Sequence, residues 1–464
     1  MIKAPTSKQF ALEMVSLETL VPEAHLLRKI NAAIEFEFIR EKVAHLYCAN
    51  NGRPALDPVK LFKILFIGYL FGIRSERQLM REIQVNVAYR WFLDFNLTDK
   101  IPDASTLSQN RRRRFNESSI YQEIFDEIVE QAMRNGLVGG VVLYTDSTHL
   151  KASANKSKHV FQELEQTPKD YLQSLEDDIT HDRIAHGKKP LKESSKSPEI
   201  KTKKISTTDP DAGYMVRDGK PKGFFYLDHR TVDGKHNIIM DSYATAATVH
   251  DSIPYLSRLD HQMKRFNLAP FSVGLDAGYF TANICKGLED RKIYGVISYR
   301  RPNHKKGFFY KREFTYHSKK DYYKCPAAEI LNYRTTSRSG YREYASDPSK
   351  CKSCNYLSKC TESKNHQKIV TRHVWQDQKD EVNSHRLTKT GKQIYKKRKE
   401  TVERSFADAK ELHGHRYARF RGLNKTKMQC LLASACQNMK KIALVKWKDR
   451  LFVFFYNYNA KIIA

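Results

Sequence analysis

An apolar stretch that ends on an aspartate occurs twice in this chain, and that repeat constrains the fold more than any other feature. Gly139-Gly140-Val141-Val142-Leu143-Tyr144-Thr145-Asp146 is the first, and Phe271-Ser272-Val273-Gly274-Leu275-Asp276-Ala277-Gly278 is the second. Short apolar runs bounded by turn residues read as buried strands. A buried strand that delivers a carboxylate at its C-terminal end is how α/β folds place metal ligands. A third acid, Glu403, lies far downstream in a strongly basic helical segment. Two strand-borne acids and a helical Glu could hold a pair of divalent cations for phosphodiester chemistry. The plainer alternative is that each Asp only caps the turn that follows it.

At 464 residues the chain is long enough for two or three domains, and a hydrophobic fraction of 40% with 24 Phe and 25 Tyr supplies real cores. The net charge of +29 favours a polyanionic partner, because each neutralised phosphate releases condensed counterion. Solvated lysine faces are the other reading of that charge. No apolar run approaches the roughly 20 residues needed to cross a bilayer. Met1 to Phe10 lacks a signal peptide's apolar centre, so a cytoplasmic location is expected. In a reducing compartment eight cysteines do not form a disulfide framework.

Residues 1–135 are expected to form an all-helical N-terminal DNA-binding domain. Asp57 and Pro58 start one helix as cap and first position. Leu79, Ile83, Val87 and Trp91 recur at helical spacing. Pro102-Asp103-Ala104-Ser105-Thr106 opens another helix that runs into Arg111, Arg112, Arg113 and Arg114, which suggests a helix-turn-helix-like DNA reader. A helical bundle with solvated arginines is the alternative. Residues 152–215 are rich in Lys, Ser, Asp and Glu and read as a polar insertion, partly helical around Phe161 to Ile179. Two β-rich runs, Gly223 to Val232 and His236 to Ala244, are joined through Asp233-Gly234 as a hairpin. A helix from Asp251 to Phe266, the Asp276 strand, a helix from Thr281 to Asp290 and a strand from Ile293 to Tyr299 follow. That order predicts an α/β fold: an RNase H-like mixed-sheet catalytic core over 136–300 and 386–445, with the Asp146 strand central and Asp276 beside it. A small Cys-rich insertion occupies 301–385, and 446–464 form a C-terminal tail.

Mg²⁺ (or Mn²⁺) prefers carboxylate oxygens, and a two-ion site would use Asp146 as the bridging ligand, Asp276 on one ion and Glu403 on the other. Asp228, Asp241 and Asp251 compete for those roles; the first two lie in the hairpin and are expected to face solvent. Treated as one helix, the segment Tyr395 to Lys410 brings Lys399, Glu403 and Lys410 within about 40° of one another, with Tyr395 about 80° from Glu403. That face suits phosphate handling, whereas a solvated, salt-bridged helix is the bland reading and suits Glu400. Lys151, Lys156 and Lys158 follow the first Asp as phosphate contacts or as solvated lysines. His149 and His250 read as structural histidines.

Cys325, Cys351, Cys354 and Cys360 offer four soft ligands suited to a structural, noncatalytic tetrahedral Zn²⁺, with one Cys-x₂-Cys pair. Four free thiols are the alternative, and His366 or His373 could replace one Cys. Cys48, Cys285, Cys430 and Cys436 read as core thiols.

The chain resembles bacterial insertion-sequence transposases of the DDE type, in the branch with a Tyr-Arg-Glu-Lys signature. Tyr395, Arg398, Glu403 and Lys410 carry the signature; the Glu-to-Lys spacing agrees, and the Arg-to-Glu spacing is one residue longer, so Arg398 and Lys399 compete for the Arg position. Asn51-Gly52-Arg53-Pro54 and Tyr89-Arg90-Trp91-Phe92 resemble the helical domain, Asp146-Ser147-Thr148 the first catalytic motif and Asp276-Ala277-Gly278-Tyr279 the second. The resemblance implies catalytic Asp146, Asp276 and Glu403, and DNA contacts through Tyr395, Arg398, Lys399 and Lys410. It also implies binding of terminal inverted repeats, cutting at element ends, joining of a 3′-hydroxyl to target DNA, and a homodimer or larger assembly on paired ends. An RNase H-like nuclease or resolvase without strand transfer would share those residues. A catalytically silent DNA-binding regulator is the third reading.

Overall fold

The computed structural model describes residues 14–48, 54–116, 118–165, 172–192, 200–216, 219, 221–301 and 304–463. Asn51, Gly52 and Arg53, Met1 to Phe10, and parts of the polar insertion (166–171 and 193–199) lie outside the described residues.

The strands are β1 (Val142–Lys151), β2 (His159–Glu165), β3 (Ile200–Ser206), β4 (Gly213–Met215), β5 (Gly223–Asp233), β6 (Ile239–Ala246), β7 (Ser272–Leu275) and β8 (Tyr294–Ile297), followed in the late insertion by β9 (Thr315–His317), β10 (Tyr322–Lys324), β11 (Ile330–Thr336), β12 (Tyr341–Ala345) and β13 (Ile369–His373). One mixed sheet runs β5-β1-β7-β8, with β4 and β6 both paired to the far edge of β5. β6, β5 and β1 are antiparallel to their neighbours, and β1, β7 and β8 are parallel. All eleven residues of β5 are buried, because helices cover both faces of the sheet and leave no solvent side for an alternating pattern. Asp228 and Asp241, expected at the surface, are therefore buried. Their charges are met inside: Arg230 and His415 bond Asp228, and Arg258 pairs with Asp241.

The C-terminal helix Leu423–Ile463 organises the molecule. It packs on β6 and on the N-terminal helices Leu26–Ala33, Pro58–Leu70 and Ile120–Arg134. Asn438 fixes it to the sheet edge, accepting from Ile239 N and donating to Ile239 O, each at 2.8 Å. One continuous apolar core consequently contains both Leu27 and Phe62 of the helical region and Val273 and Val296 of the sheet. The boundary expected at 135 does not separate two cores, and the expected tail at 446 continues the same helix. Among the described residues no helix is long and apolar enough to cross a membrane.

The polar insertion differs from its sequence reading. Residues 159–165 form β2, paired with β3, and the helix lies later, at Leu172–Ala185. That helix docks on the late insertion, whose strands form an antiparallel sheet in the order β13-β12-β11-β10-β9. Asp182 accepts from Thr336 Oγ1 at 2.6 Å and from Arg342 Nε at 2.7 Å, and Asp178 accepts from Trp375 Nε1 at 2.6 Å. The helix Gln376–His385 belongs to the main sheet, not to the insertion: it packs on helix Ala282–Asp290 and β8, and His385 stacks on Tyr294.

Candidate metal centre

The ladder between β1 and β7 ends on the pair Thr145 and Leu275. The next residue on each strand is an aspartate, so Asp146 and Asp276 emerge side by side from adjacent strands, which lie about 4.8 Å apart. β1 does not end at Asp146; it runs on to Lys151 against β5, with Asp146 opposite Arg230. The extra length is held by antiparallel pairing alone, because β7 stops. Asp276 also caps the short 3₁₀ turn Ala277–Tyr279, accepting from Ala277 N at 2.7 Å. Capping and site placement are thus compatible in one residue.

Arg398 joins the two acids. Its Nη2 donates to Asp146 Oδ2 at 2.7 Å, and its Nη1 lies 3.8 Å from Asp276 Oδ1. The Arg398 side chain is 2% exposed, and its guanidinium lies 5.5 Å from the half-buried Tyr395 ring. Of the two residues that compete for the Arg position, Arg398 reaches the carboxylates, whereas Lys399 is exposed. Arg398 is enclosed by protein here and does not present itself as a surface DNA contact. Burial pushes the Asp146 carboxyl up, the Arg398 charge and the Ser147 N–H pull it down, and the charges of Asp276 and Asp251 push it up again; the result is about 6. Asp251, one of the competing acids, has a buried Oδ1 without a hydrogen-bond partner and lines a cavity with Thr145, His229 and Tyr279.

The segment expected as one helix is two. Helix Lys389–Lys397 passes through a 3₁₀ turn, Arg398–Glu400, and helix Val402–Leu412 starts after Thr401, whose φ/ψ of −107°/−96° is not helical. The angular relations drawn across 395–403 therefore fail, although Glu403 and Lys410, two turns apart, still share a face of the second helix. That helix buries Val402, Phe406 and Ala409 and packs on β1 and β5, while Ser405 accepts from Arg230 Nη1 at 3.2 Å. Glu403 sits in its first turn, exposed, where the helix dipole favours an anion. Asp146, Asp276 and Glu403 do not come within mutual coordination reach. Among the described residues, the group whose ligand atoms lie within 4.8 Å of one another is Asp228, His415 and Cys430.

That buried trio is explained without an ion. Asp228 Oδ2 accepts from Arg230 Nε at 2.8 Å and from His415 Nε2 at 2.9 Å, and Oδ1 accepts from Ser242 Oγ at 3.1 Å. Burial alone would raise its pKa, but the Arg230 charge and the His415 hydrogen bond hold it well below the usual carboxylate range. Burial keeps His415 below its ordinary value, against the opposing pull of the Asp228 carboxylate. The carboxylate's charge and lone pairs are already taken.

The remaining predicted contacts divide. Arg111 pairs with Glu76 and lies 4.1 Å over the Phe420 ring; Arg114 donates to Asn110 and lies 4.3 Å over Tyr47; only Arg112 and Arg113 of the four are exposed. Lys151 and Lys156 are exposed, with Lys151 5.8 Å over Tyr417. Lys410 is partly buried. His149 packs edge-on to Phe225, and His250 bonds Ser252, as structural histidines do. Cys325, Cys351, Cys354 and Cys360 line one cavity in the small sheet domain. Cys285, Cys430 and Cys436 are core thiols as expected, but Cys48 is exposed.

Residues 15–113 match a family model described as a transposase domain (DUF772), and residues 324–443 match one described as a transposase DDE domain. No curated protein matches the chain in sequence. The cryo-EM structure of a piggyBac transposase synaptic complex with hairpin DNA aligns over 92% of this chain and 75% of that one at 12% identity, with a TM-score of 0.34. The first family match covers the N-terminal helices and the second runs through the helix that carries Glu403. Both matches are to transposase domains, and they support reading the chain as an insertion-sequence DDE transposase.

Proposed function

We propose that this chain is a DNA transposase with an RNase H-like catalytic core, which binds element ends, cleaves phosphodiester bonds and joins 3′-hydroxyl ends to target DNA. The observation that carries the reading is the adjacent emergence of Asp146 and Asp276 past the end of the β1/β7 ladder, with Arg398 bridging them. Two hard carboxylates on neighbouring strands suit Mg²⁺ or Mn²⁺. Asp146 and Asp276 would hold the ions, with Glu403 as the third ligand once its helix start turns inward. Bound ions would supply activation of the attacking oxygen and stabilisation of the leaving one. The chain's own part is positional. The ladder fixes the two aspartates, and Arg398 neutralises them while they are unligated. The polar atoms of Asp251 and Tyr279 border the same floor.

Double-stranded DNA, as terminal inverted repeats and target, is the proposed partner, met by Arg112, Arg113, Lys151, Lys156, Lys399 and Lys410. Assembly of two or more chains on paired ends goes with that reading. The test is a strand-transfer assay with end-bearing oligonucleotides. Wild-type protein is expected to cut and join; Asp146→Asn is expected to lose both by more than about 1,000-fold while still binding ends. Cutting without joining would favour a nuclease or resolvase instead.

A further inference from the structure

We propose that Cys325, Cys351, Cys354 and Cys360 bind one structural zinc ion that staples the small sheet domain, a site separate from the acidic centre. Three stretches of chain bring these residues to one place. Cys325 follows β10 in a tight turn, where Cys325 N donates to Glu329 O at 2.8 Å and Ala328 N donates to Cys325 O at 2.9 Å. Cys351 and Cys354 close a second turn, with Cys354 N donating to Cys351 O at 3.1 Å. Cys360 ends the short helix Leu357–Cys360. All four line a single cavity of about 30 Å³ floored by Phe309 and Leu331. That space holds one ion, since a water needs roughly 10–15 Å³ by the same kind of measure.

Among the described residues no three of these sulfurs lie within 4.8 Å of one another, so binding must draw them inward. The surroundings suit that step. Four S–H bonds would be broken and four Zn–S bonds formed, releasing four protons and leaving the centre with two negative charges. Lys368 lines the same cavity and offsets part of that charge, while Lys350, also at the cavity, is paired with Glu329 at 2.7 Å. The Ser346 hydroxyl, which accepts from Cys351 Sγ at 3.2 Å, can rotate to donate to a thiolate. His366 and His373 do not line the cavity, and His373 Nδ1 is already used by Trp375 N at 3.0 Å. The need for a staple is physical: the domain's own buried apolar cluster is Phe314, Tyr323, Leu331, Tyr344 and Val370, too small a core to hold a five-stranded sheet unaided.

The test uses the full chain purified under reducing conditions without added metal. One zinc per chain is expected by elemental analysis, and cobalt replacement is expected to give the visible bands of a tetrahedral thiolate complex. Cys351→Ser and Cys354→Ser should bring zinc to background. Should those variants fail to fold, titrating wild-type thiols with a mercurial should free the zinc in step with four sulfurs. Zinc absent with four freely alkylated thiols, the four cysteines paired as disulfides, or zinc retained in the serine variants would each overturn the proposal. Asp146→Asn should keep its zinc, so failure of the acidic site and failure of this one read out separately.

Discussion

At the scale of single residues, Arg398 and Asp146 form a charge arrangement that a divalent ion would have to rearrange. Removing one partner of a buried pair leaves the other uncompensated, at a cost of ~3–5 kcal/mol when fully enclosed. Asp146 keeps 23% exposure, so Arg398→Ala is expected to destabilise the metal-free protein by about 2 kcal/mol. Mg²⁺ should restore part of that loss by taking over the neutralisation, and Arg398→Lys should lose less than Arg398→Ala. Urea unfolding with and without Mg²⁺ checks both; an Ala variant as stable as wild type would refute the bridging role. Asp146 gives a pH signature of its own. Its folded pKa of about 6 lies above the 3.8 of an ordinary aspartate, so the folded state favours the protonated form. The associated stability is present in full below pH 4 and is lost as pH rises through about 6. At ~1.4 kcal/mol per unit, the difference between wild type and Asp146→Asn should change by up to about 3 kcal/mol over that interval in Mg²⁺-free buffer. Parallel curves for the two proteins would show that the carboxyl is not desolvated as described.

At the scale of elements, what the sequence shows and what it hides have separate causes. The runs reaching Asp146 and Asp276 are readable as strands because each is apolar, and their adjacency follows from strand order; only the second is closed there by turn residues, since β1 continues to Lys151. The position of Glu403 was not readable. Helical spacing assumes an unbroken helix, and nothing in Lys399-Glu400-Thr401-Val402 announces the break; Thr401 is held there by burial and by its hydroxyl donating to Lys397 O at 2.9 Å. The burial of Asp228 and Asp241 is hidden for a related reason: Arg230 is a neighbour of Asp228 on β5, but His415 and Arg258, which complete the two pairings, come from other elements. The helix that delivers Arg398 depends on one close approach. A Cβ on Gly391 would stand 2.0 Å from the His385 carbonyl oxygen, a backbone atom that cannot swing aside. Gly391→Ala should therefore shift helix Lys389–Lys397 and cost more than ~2 kcal/mol. Thermal unfolding reads the cost, and an unchanged melting temperature would mean that the approach is not fixed.

At the scale of the whole molecule, the +29 charge and the shared core act together. Helix Leu423–Ile463 ties the N-terminal helices to the main sheet, so surfaces from both ends of the sequence are built on one shared core. Composition announced the charge but not this tie, because the contacts join positions hundreds of residues apart. The tie also sorts the arginines near the end of helix Ala104–Arg113 by task. Arg111 is spent on Glu76 and on the Phe420 ring just before the long helix, and so stitches the two ends together. Arg112 and Arg113 face solvent and are available to phosphate. Each phosphate neutralised contributes about −0.9 to the slope of log K against log salt on duplex DNA. Replacing Arg112 and Arg113 together by Ala should weaken end binding and make that slope shallower by about 2, with little change in stability. Arg111→Ala should do the reverse, lowering stability while leaving the slope within error. Fluorescence anisotropy on a labelled end duplex across a salt series, paired with unfolding curves, separates the two. If all three arginines altered the slope alike, the division between stitching and phosphate-facing arginines would be wrong, and the helix would meet DNA along a different edge.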